Sequence, residues 1–367
     1  MHTGSTQDRT PSEGIVEMFA YVGGYTTAER DGRAEGITVF RTGRTDAAWV
    51  PLQMLATLDN PSLLRIAPGG RTLYAAHGDG TRLSAFAVDP VTGHLAAREA
   101  VDCGGVNPVD LGFVGDGRFV VTANYTSGTV GLLPVAADGA LLPPCQTLTL
   151  RESDDGVAVR AASQPHGVTI DPTGRFVLVP DKGQDKVFVF RFDPAGRLVP
   201  AEMPYAACTA GNGPRHAVFH PRMPMLYVVN ELGCSVQSFR WMEATGGLDP
   251  VQRVSTLPDS PECRGAAAEI AISADGHGLF ASTRVHGSIV NFMVDDHTGS
   301  LGSPVWTSCQ GREPRFFTLS PDGRALHVAN QDSDTIVSFA IDKAGHVGAG
   351  TVSARVGSPS SICFARS

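Results

Sequence analysis

One strand–turn–strand pattern recurs six times along the chain, at intervals of 46 to 57 residues, and this repetition limits the possible folds more than any other feature. The copies begin at Asn60, Asn107, Gln164, Gly213, Ala267 and Glu313. In each, a short apolar strand runs into a tight turn such as DPTG, SADG or SPDG, and a second apolar strand follows. A polar turn then leads to an alternating third strand such as TIVSFAI, and a more variable outer strand completes the unit. Proline pre-sets φ in such turns and glycine supplies positive φ. The 42 glycines and 25 prolines therefore belong to a chain of many short strands. The interval suits one four-stranded propeller blade with its loops.

A seventh blade is expected to be shared between the termini. Met18–Gly23 and Gly36–Arg41 resemble second and third strands, and Trp49–Leu58 can supply the outer one. The missing inner strand is found near the carboxyl end, in Pro359–Ala365. Pairing these segments would close a ring and remove an exposed edge, which an open solenoid would not do. The expected fold is all-β: one seven-bladed β-propeller over residues 18–367, preceded by a short flexible lead, residues 1–17. That lead has no basic segment followed by an apolar core, so it does not read as a signal peptide.

The charge pattern argues against several partners. The formal net charge is −8 and no segment concentrates lysine and arginine, so nucleic acid is not an expected partner. A few arginines can still form a local positive pocket in a negative protein. No apolar run approaches a membrane span, and the cytoplasm is the expected compartment. The seven cysteines (Cys103, Cys145, Cys208, Cys234, Cys263, Cys309 and Cys363) stand singly, without a disulfide framework or zinc spacing. No metal cluster, phosphate-cradling loop or dinucleotide fingerprint stands out, so neither metal nor cofactor is expected.

A propeller turns a linear repeat into rings, so residues in equivalent positions are best compared together. Five residues before each inner turn stand Ser62, Val109, His166, Arg215, Ala268 and Arg315; eleven after its first residue stand Gly78, Tyr125, Lys182, Glu231, Arg284 and Gln331. Both positions belong to one face of the ring. Charged residues replace small or apolar ones chiefly between the blades of His166 and Arg315, an asymmetry that a purely structural repeat does not need. The alternatives remain open: His166 bonded to a neighbouring strand, Glu231 and Arg284 as an inter-blade ion pair, and Arg215 and Arg315 on a solvated rim. Glu269 falls one position beyond the inner ring, with a bond between strands as its other reading. Asp181, Asn230 and Asn330 suit turn-ordering roles, and His216 and His220 flank a strand start without a required ligand contact.

The segments YVGGY (from Tyr21), QPHGVTIDPTGRFVLVPDKGQDKVFVFRFD, GNGPRHAVFHP, LYVVNELGCSVQSF and VANQDSDTIVSFAID resemble the seven-bladed lactonase family. That family includes bacterial 6-phosphogluconolactonases and fungal carboxy-cis,cis-muconate lactonizing enzymes. Resemblance to the muconate branch implies an acid/base and carboxylate-binding site at His166, Arg215, Glu231 and Arg284, working without a cofactor. The expected activity is hydrolysis of a sugar lactone, with 6-phosphoglucono-δ-lactone the leading substrate. In that scheme His166 or Glu231 assists water attack, while Arg215 and Arg284 hold an anion or a developing oxyanion. Arg315, Lys182, Asn230, Glu269 and Gln331 are expected substrate contacts. The sequence departs from the family wording at Asp110, where relatives carry histidine, at Lys182 in PDKG, and at ASTRVHGSI, which keeps Arg284 and a shifted His286. An intramolecular lyase acting on a carboxymuconate-like diacid is the alternative enzyme, and a protein-interaction propeller the non-enzymatic one. Oligomeric state has no signature in the sequence.

Overall fold

Each repeat folds into an antiparallel sheet of four strands in chain order, inner to outer, and seven such sheets form the propeller. The computed structural model describes residues 18–43, 48–150, 162–193, 195–259 and 265–366. The expected lead at 1–17 and Cys263 lie outside the described residues. Inner strands run at Pro61–Ile66, Pro108–Val114, Thr169–Ile170, Pro214–Phe219, Ala267–Ile272 and Pro314–Leu319. The second blade departs slightly from the common plan, since its third strand Arg82–Val88 pairs with both Leu95–Ala97 and Val101–Asp102.

The remaining sheet, first in chain order, joins the two ends of the chain. Pro359–Arg366 is its inner strand and pairs antiparallel with Met18–Gly24, which is followed by Ile37–Thr42 and Val50–Leu55. Tyr21 sits opposite Cys363 and Val22 opposite Ile362, so the apolar residues of both segments share their faces. The closure also reaches the next blade: Leu64 N–H donates to Ser361 Oγ at 2.9 Å and Ser360 Oγ donates to the Ser62 carbonyl at 2.9 Å.

The core lies between blades, where the apolar faces of adjacent sheets stack. One seam joins Val121, Val130 and Leu132 of the third blade to Val177, Val179 and Phe190 of the fourth. A recurring tyrosine on the second strand ties one blade to the next. Tyr21 donates to the Gly93 carbonyl, Tyr74 to Gly139 and Tyr227 to Gly299, at 3.0, 2.9 and 2.8 Å. All three glycines have positive φ, between 71° and 88°, in the outer hairpin of the following blade. A buried hydroxyl thus finds the acceptor it needs at a turn only glycine makes readily.

A second recurring bond sets the functional face. The residue just after the second strand donates its N–H to the carbonyl just before the inner strand. Gly78 bonds Asn60, Tyr125 bonds Asn107, Lys182 bonds Gln164, Glu231 bonds Gly213, Arg284 bonds Ala266 and Gln331 bonds Glu313, all at 2.7–3.0 Å. Tyr25 makes the same bond to Ser358 at 3.2 Å and so completes the ring of seven. Asn60 and Asn107 accept these bonds at φ of 48° and 63°, a left-handed conformation that asparagine tolerates.

The fourth blade is irregular where it matters. Its regular inner strand is only Thr169–Ile170, with a single bridge from Pro165 to Asp181 ahead of it. The Asp110 carboxylate of the third blade takes up the Val168 N–H at 2.9 Å while also accepting Arg65 at 3.0 Å. Asp110 therefore supports the His166 segment from the neighbouring blade.

Candidate active site

His166 in QPHG, just ahead of the short inner strand Thr169–Ile170, and Arg215 in GPRH, on the inner strand Pro214–Phe219, stand near each other in neighbouring blades. Both line one cavity with Arg315, and Tyr25, Ser62 and Ser360 close its other side. Glu231 reaches into the same sector from the turn above. Its carboxylate meets Lys182 Nζ at 2.6 Å, Arg284 Nη2 at 3.0 Å and Arg215 Nε at 3.1 Å. The last contact is an ion pair without hydrogen-bond alignment, because Arg215 Nε has no bonded acceptor; an Nη1 proton of the same side chain goes to the Ala268 carbonyl. Arg284 has a second carboxylate, Glu313, at 3.4 Å.

These neighbours decide the protonation of the group. Burial would raise the Glu231 carboxyl, but Arg215, Arg284 and Lys182 outweigh it and bring its pKa from 4.5 to about 2. The carboxylate is therefore ionised at neutral pH. Its geometry is that of the inter-blade ion pair and of a support for three cations. Burial also lowers Arg215, to about 10, which leaves it charged at neutral pH.

His166 is different. Burial first, then Arg215, His216 and Arg315, push its imidazole well below the ordinary value, so it is neutral. Its Nδ1 is buried without a hydrogen-bond partner, and no protein hydrogen bond holds either ring nitrogen among the described residues. The ring stands edge-on to Tyr125 at 5.5 Å and packs against His216 at 5.3 Å. The Tyr125 ring also faces Lys182 Nζ at 5.7 Å, and Tyr25 lies 5.3 Å from the Arg315 guanidinium. Among the described residues no carboxylate lies within ion-pair distance of Arg315.

The remaining expected contacts separate. Asn230 is fully buried and donates to Ser235 Oγ at 3.1 Å within its own blade, the geometry of a turn-ordering residue, and it is not among the residues that line the cavity of His166 and Arg215. Glu269 is buried, pairs with His216 Nδ1 at 2.9 Å and lines a neighbouring cavity with Arg65 and Asp110. Gln331 stays at the rim, in the short 3-10 turn Gln331–Ser333, with its amide turned to Asp332 at 3.3 Å. Asp181 and Asn330 order turns, Asp181 accepting three backbone N–H groups and Asn330 donating to the Cys309 carbonyl. His220 accepts two backbone N–H groups of its own turn, and His286 bonds Ser288.

Tyr25 is the residue that reading the repeats alone misses. The YVGGY segment names it, but its ring position emerges only when the terminal blade is assembled in register. Among the described residues no group of three or more metal-ligating side chains converges. No helix among them is long and apolar enough to cross a membrane.

The match to known proteins covers almost the whole propeller. Residues 19–364 match the family described as lactonase, 7-bladed beta-propeller. The chain belongs to that family. Among solved structures it is similar to a periplasmic gluconolactonase from Pseudomonas aeruginosa, with a TM-score of 0.87 and 34% identity over 95% of this chain and 99% of that one. A putative 6-phosphogluconolactonase from Bacteroides fragilis gives a TM-score of 0.85 and 29% identity, over 97% and 99% of the two chains. The 6-phosphogluconolactonase of Bacillus subtilis is 28% identical over 333 residues, 90% of this chain and 93% of its own. Membership places the protein among lactonases, hydrolases of small lactones.

Proposed function

We propose that this lactonase opens a sugar lactone carrying an anionic group, with 6-phosphoglucono-δ-lactone the leading substrate. One observation carries the reading. Arg215 and Arg315 line the cavity beside a neutral histidine, and Lys182 and Arg284 join Arg215 around Glu231, with Glu313 and Glu269 as further carboxylates among the described residues. That excess of positive charge, set in a chain of net charge −8, suits an anionic substrate.

Arg315, at the cavity wall with no carboxylate partner among the described residues, holds the remote anion with Lys182. Arg215 and Arg284 face the lactone carbonyl and stabilise the oxyanion as water adds. His166 takes the proton from that water, and the proton goes to the ring oxygen as the carbon–oxygen bond breaks. The product is the open-chain hydroxy acid, and no step needs a cofactor. Two similar proteins are named for the phosphorylated substrate and one for gluconolactone, which makes the phosphate the feature to test. A cytoplasmic location fits the free cysteines among the described residues, including the exposed Cys145.

The test is a side-by-side assay of purified protein on phosphorylated and unphosphorylated gluconolactone and a carboxymuconate, corrected for spontaneous opening. A kcat/KM at least about tenfold higher for the phosphorylated lactone is expected, the size of one added charged hydrogen bond. Equal rates on both sugar lactones would overturn the phosphate assignment. Turnover of the muconate alone would replace hydrolysis with the lyase reaction.

A further inference from the structure

The side of the His166 cavity closed by Tyr25, Ser62 and Ser360 carries hydroxyls that the proposed reaction has not used. Ser360 Oγ donates to the Ser62 carbonyl at 2.9 Å, and the Ser62 N–H donates to the Asn60 carbonyl at 2.6 Å, so the Ser62 backbone is fixed on both sides. Ser62 Oγ and the Tyr25 hydroxyl, by contrast, make no hydrogen bond to protein among the described residues. Both residues are more than nine-tenths buried. Buried polar groups are normally paired, so two uncommitted hydroxyls on one cavity wall point to a partner that arrives with the substrate.

The surroundings hold both groups in place. The Tyr25 N–H donates to the Ser358 carbonyl at 3.2 Å and its carbonyl accepts the Ala34 N–H at 3.0 Å. The guanidinium groups of Arg30 and Arg315 each lie 5.3 Å from the centre of its ring. Gly78 makes room for the serine. Of the seven residues that follow a second strand and bond back to the inner strand, it is the one without a side chain. Its φ is not positive, so the backbone does not call for glycine there. A Cβ on Gly78 would instead sit 2.7 Å from Ser62 Oγ and 3.7 Å from Tyr25 Cε1, and the serine hydroxyl would have to turn away. The glycine is needed for space.

We propose that Ser62 and Tyr25 are the residues that recognise the hydroxyl groups of the lactone, and that Gly78 keeps Ser62 Oγ in position to do so. The inference rests on the lactonase reading above, but not on a phosphate in the substrate. Each protein hydroxyl can donate or accept, as can each hydroxyl of a sugar, so the two sets are complementary whichever way the protons point. The arginines of the site recognise charge, which a sugar phosphate and a muconate-type diacid both carry. Ser62 and Tyr25 recognise what only the sugar carries. A lactone without hydroxyls would close the cavity over two unpaired polar groups, and sites that hydrogen-bond a substrate hydroxyl reject analogues lacking it for this reason. Ser62 and Tyr25 thus set the substrate class, polyhydroxylated lactones, and take no part in the proton transfers.

The test is steady-state kinetics of the full-length wild type, Ser62→Ala, Tyr25→Phe and Gly78→Ala on 6-phosphoglucono-δ-lactone, glucono-δ-lactone and δ-valerolactone, corrected for spontaneous opening. The last has the same six-membered ring and no hydroxyl. Ser62→Ala and Tyr25→Phe should each lower kcat/KM about threefold to tenfold on both sugar lactones, the size of one neutral hydrogen bond. On δ-valerolactone they should change kcat/KM, or its inhibition constant if it is not turned over, by no more than about twofold. Gly78→Ala should reproduce the loss of Ser62→Ala, and the double variant Ser62→Ala/Gly78→Ala should be no slower than Ser62→Ala alone, because both act on one hydroxyl. Unchanged kcat/KM on the sugar lactones, equal losses on δ-valerolactone, or multiplicative losses in the double variant would overturn the assignment and leave lactone hydrolysis standing. Absence of wild-type turnover on any lactone would instead remove the lactonase reading and this assignment with it.

Discussion

Lys182 Nζ lies 2.6 Å from Glu231 Oε1, and this contact links two blades through a carboxylate that also holds Arg284 and Arg215. The Glu231 pKa is depressed from 4.5 to about 2, so its contribution to stability is present above the unfolded-state value and is lost as pH falls through about 2. At neutral pH it amounts to about 3 kcal/mol. Glu231→Gln should therefore melt lower than the parent at pH 7, and the gap should shrink steadily below pH 4. Thermal melts from pH 7 down to pH 2.5 check this; a constant gap would mean that the carboxylate is not ionised in the folded protein.

His166 has no protein hydrogen bond on its ring among the described residues, so its removal should cost little stability. His166→Asn should reduce kcat by roughly 10²–10⁴-fold, the usual contribution of a positioned general base, with a nearly unchanged melting temperature. Because its imidazole is held well below the ordinary value, it is already neutral through pH 6–8. A wild-type kcat/KM profile that lost activity at pH 6.5 by protonation of His166 would contradict that environment.

The fold was legible because repeated turns and apolar strands leave few alternatives, and because Pro359–Ala365 was an inner strand without a blade. The candidate site was legible to the extent that charge broke the ring symmetry: Lys182, Arg215 and Arg284 meet at Glu231, and Arg215 also lines a cavity with His166 and Arg315. What one-dimensional spacing could not supply was direction. Asn230 and Glu231 are neighbours at a strand end, yet one side chain turns into its own blade and the other toward three cations. Similarly, Arg215 enters the cavity while Glu269, one position past the equivalent site in the next repeat, turns below it to His216. Protonation was hidden for the same reason, since it depends on the charges that several blades bring together.

Arg315 contacts the Tyr25 ring but no carboxylate among the described residues, so it is available to an anionic substrate. Arg315→Gln should raise KM for 6-phosphogluconolactone about tenfold while kcat stays within about twofold, the signature of lost uniform binding. KM for unphosphorylated gluconolactone should change much less. Initial-rate kinetics on both lactones check the difference; an equal rise for both would place Arg315 at the lactone ring.

Closure of the ring depends on a strand that arrives last. Ile362 is buried at the junction, opposite Val22 and within the cluster that also holds Leu63 and Phe316 of the flanking blades. Ile362→Ala should destabilise the protein by about 2–5 kcal/mol through lost burial and a cavity. Deleting residues 358–367 should have a different effect. It removes every partner of the inner edge of Met18–Gly24, exposing a strand edge that can pair with another chain. The truncated protein should lose its cooperative melt and associate, and a peptide spanning 357–367 added in trans should restore the cooperative melt of the parent. Scanning calorimetry and size-exclusion chromatography check both changes. A truncated chain that remained as stable as the Ile362→Ala variant would show that the other six blades close without the terminal strand.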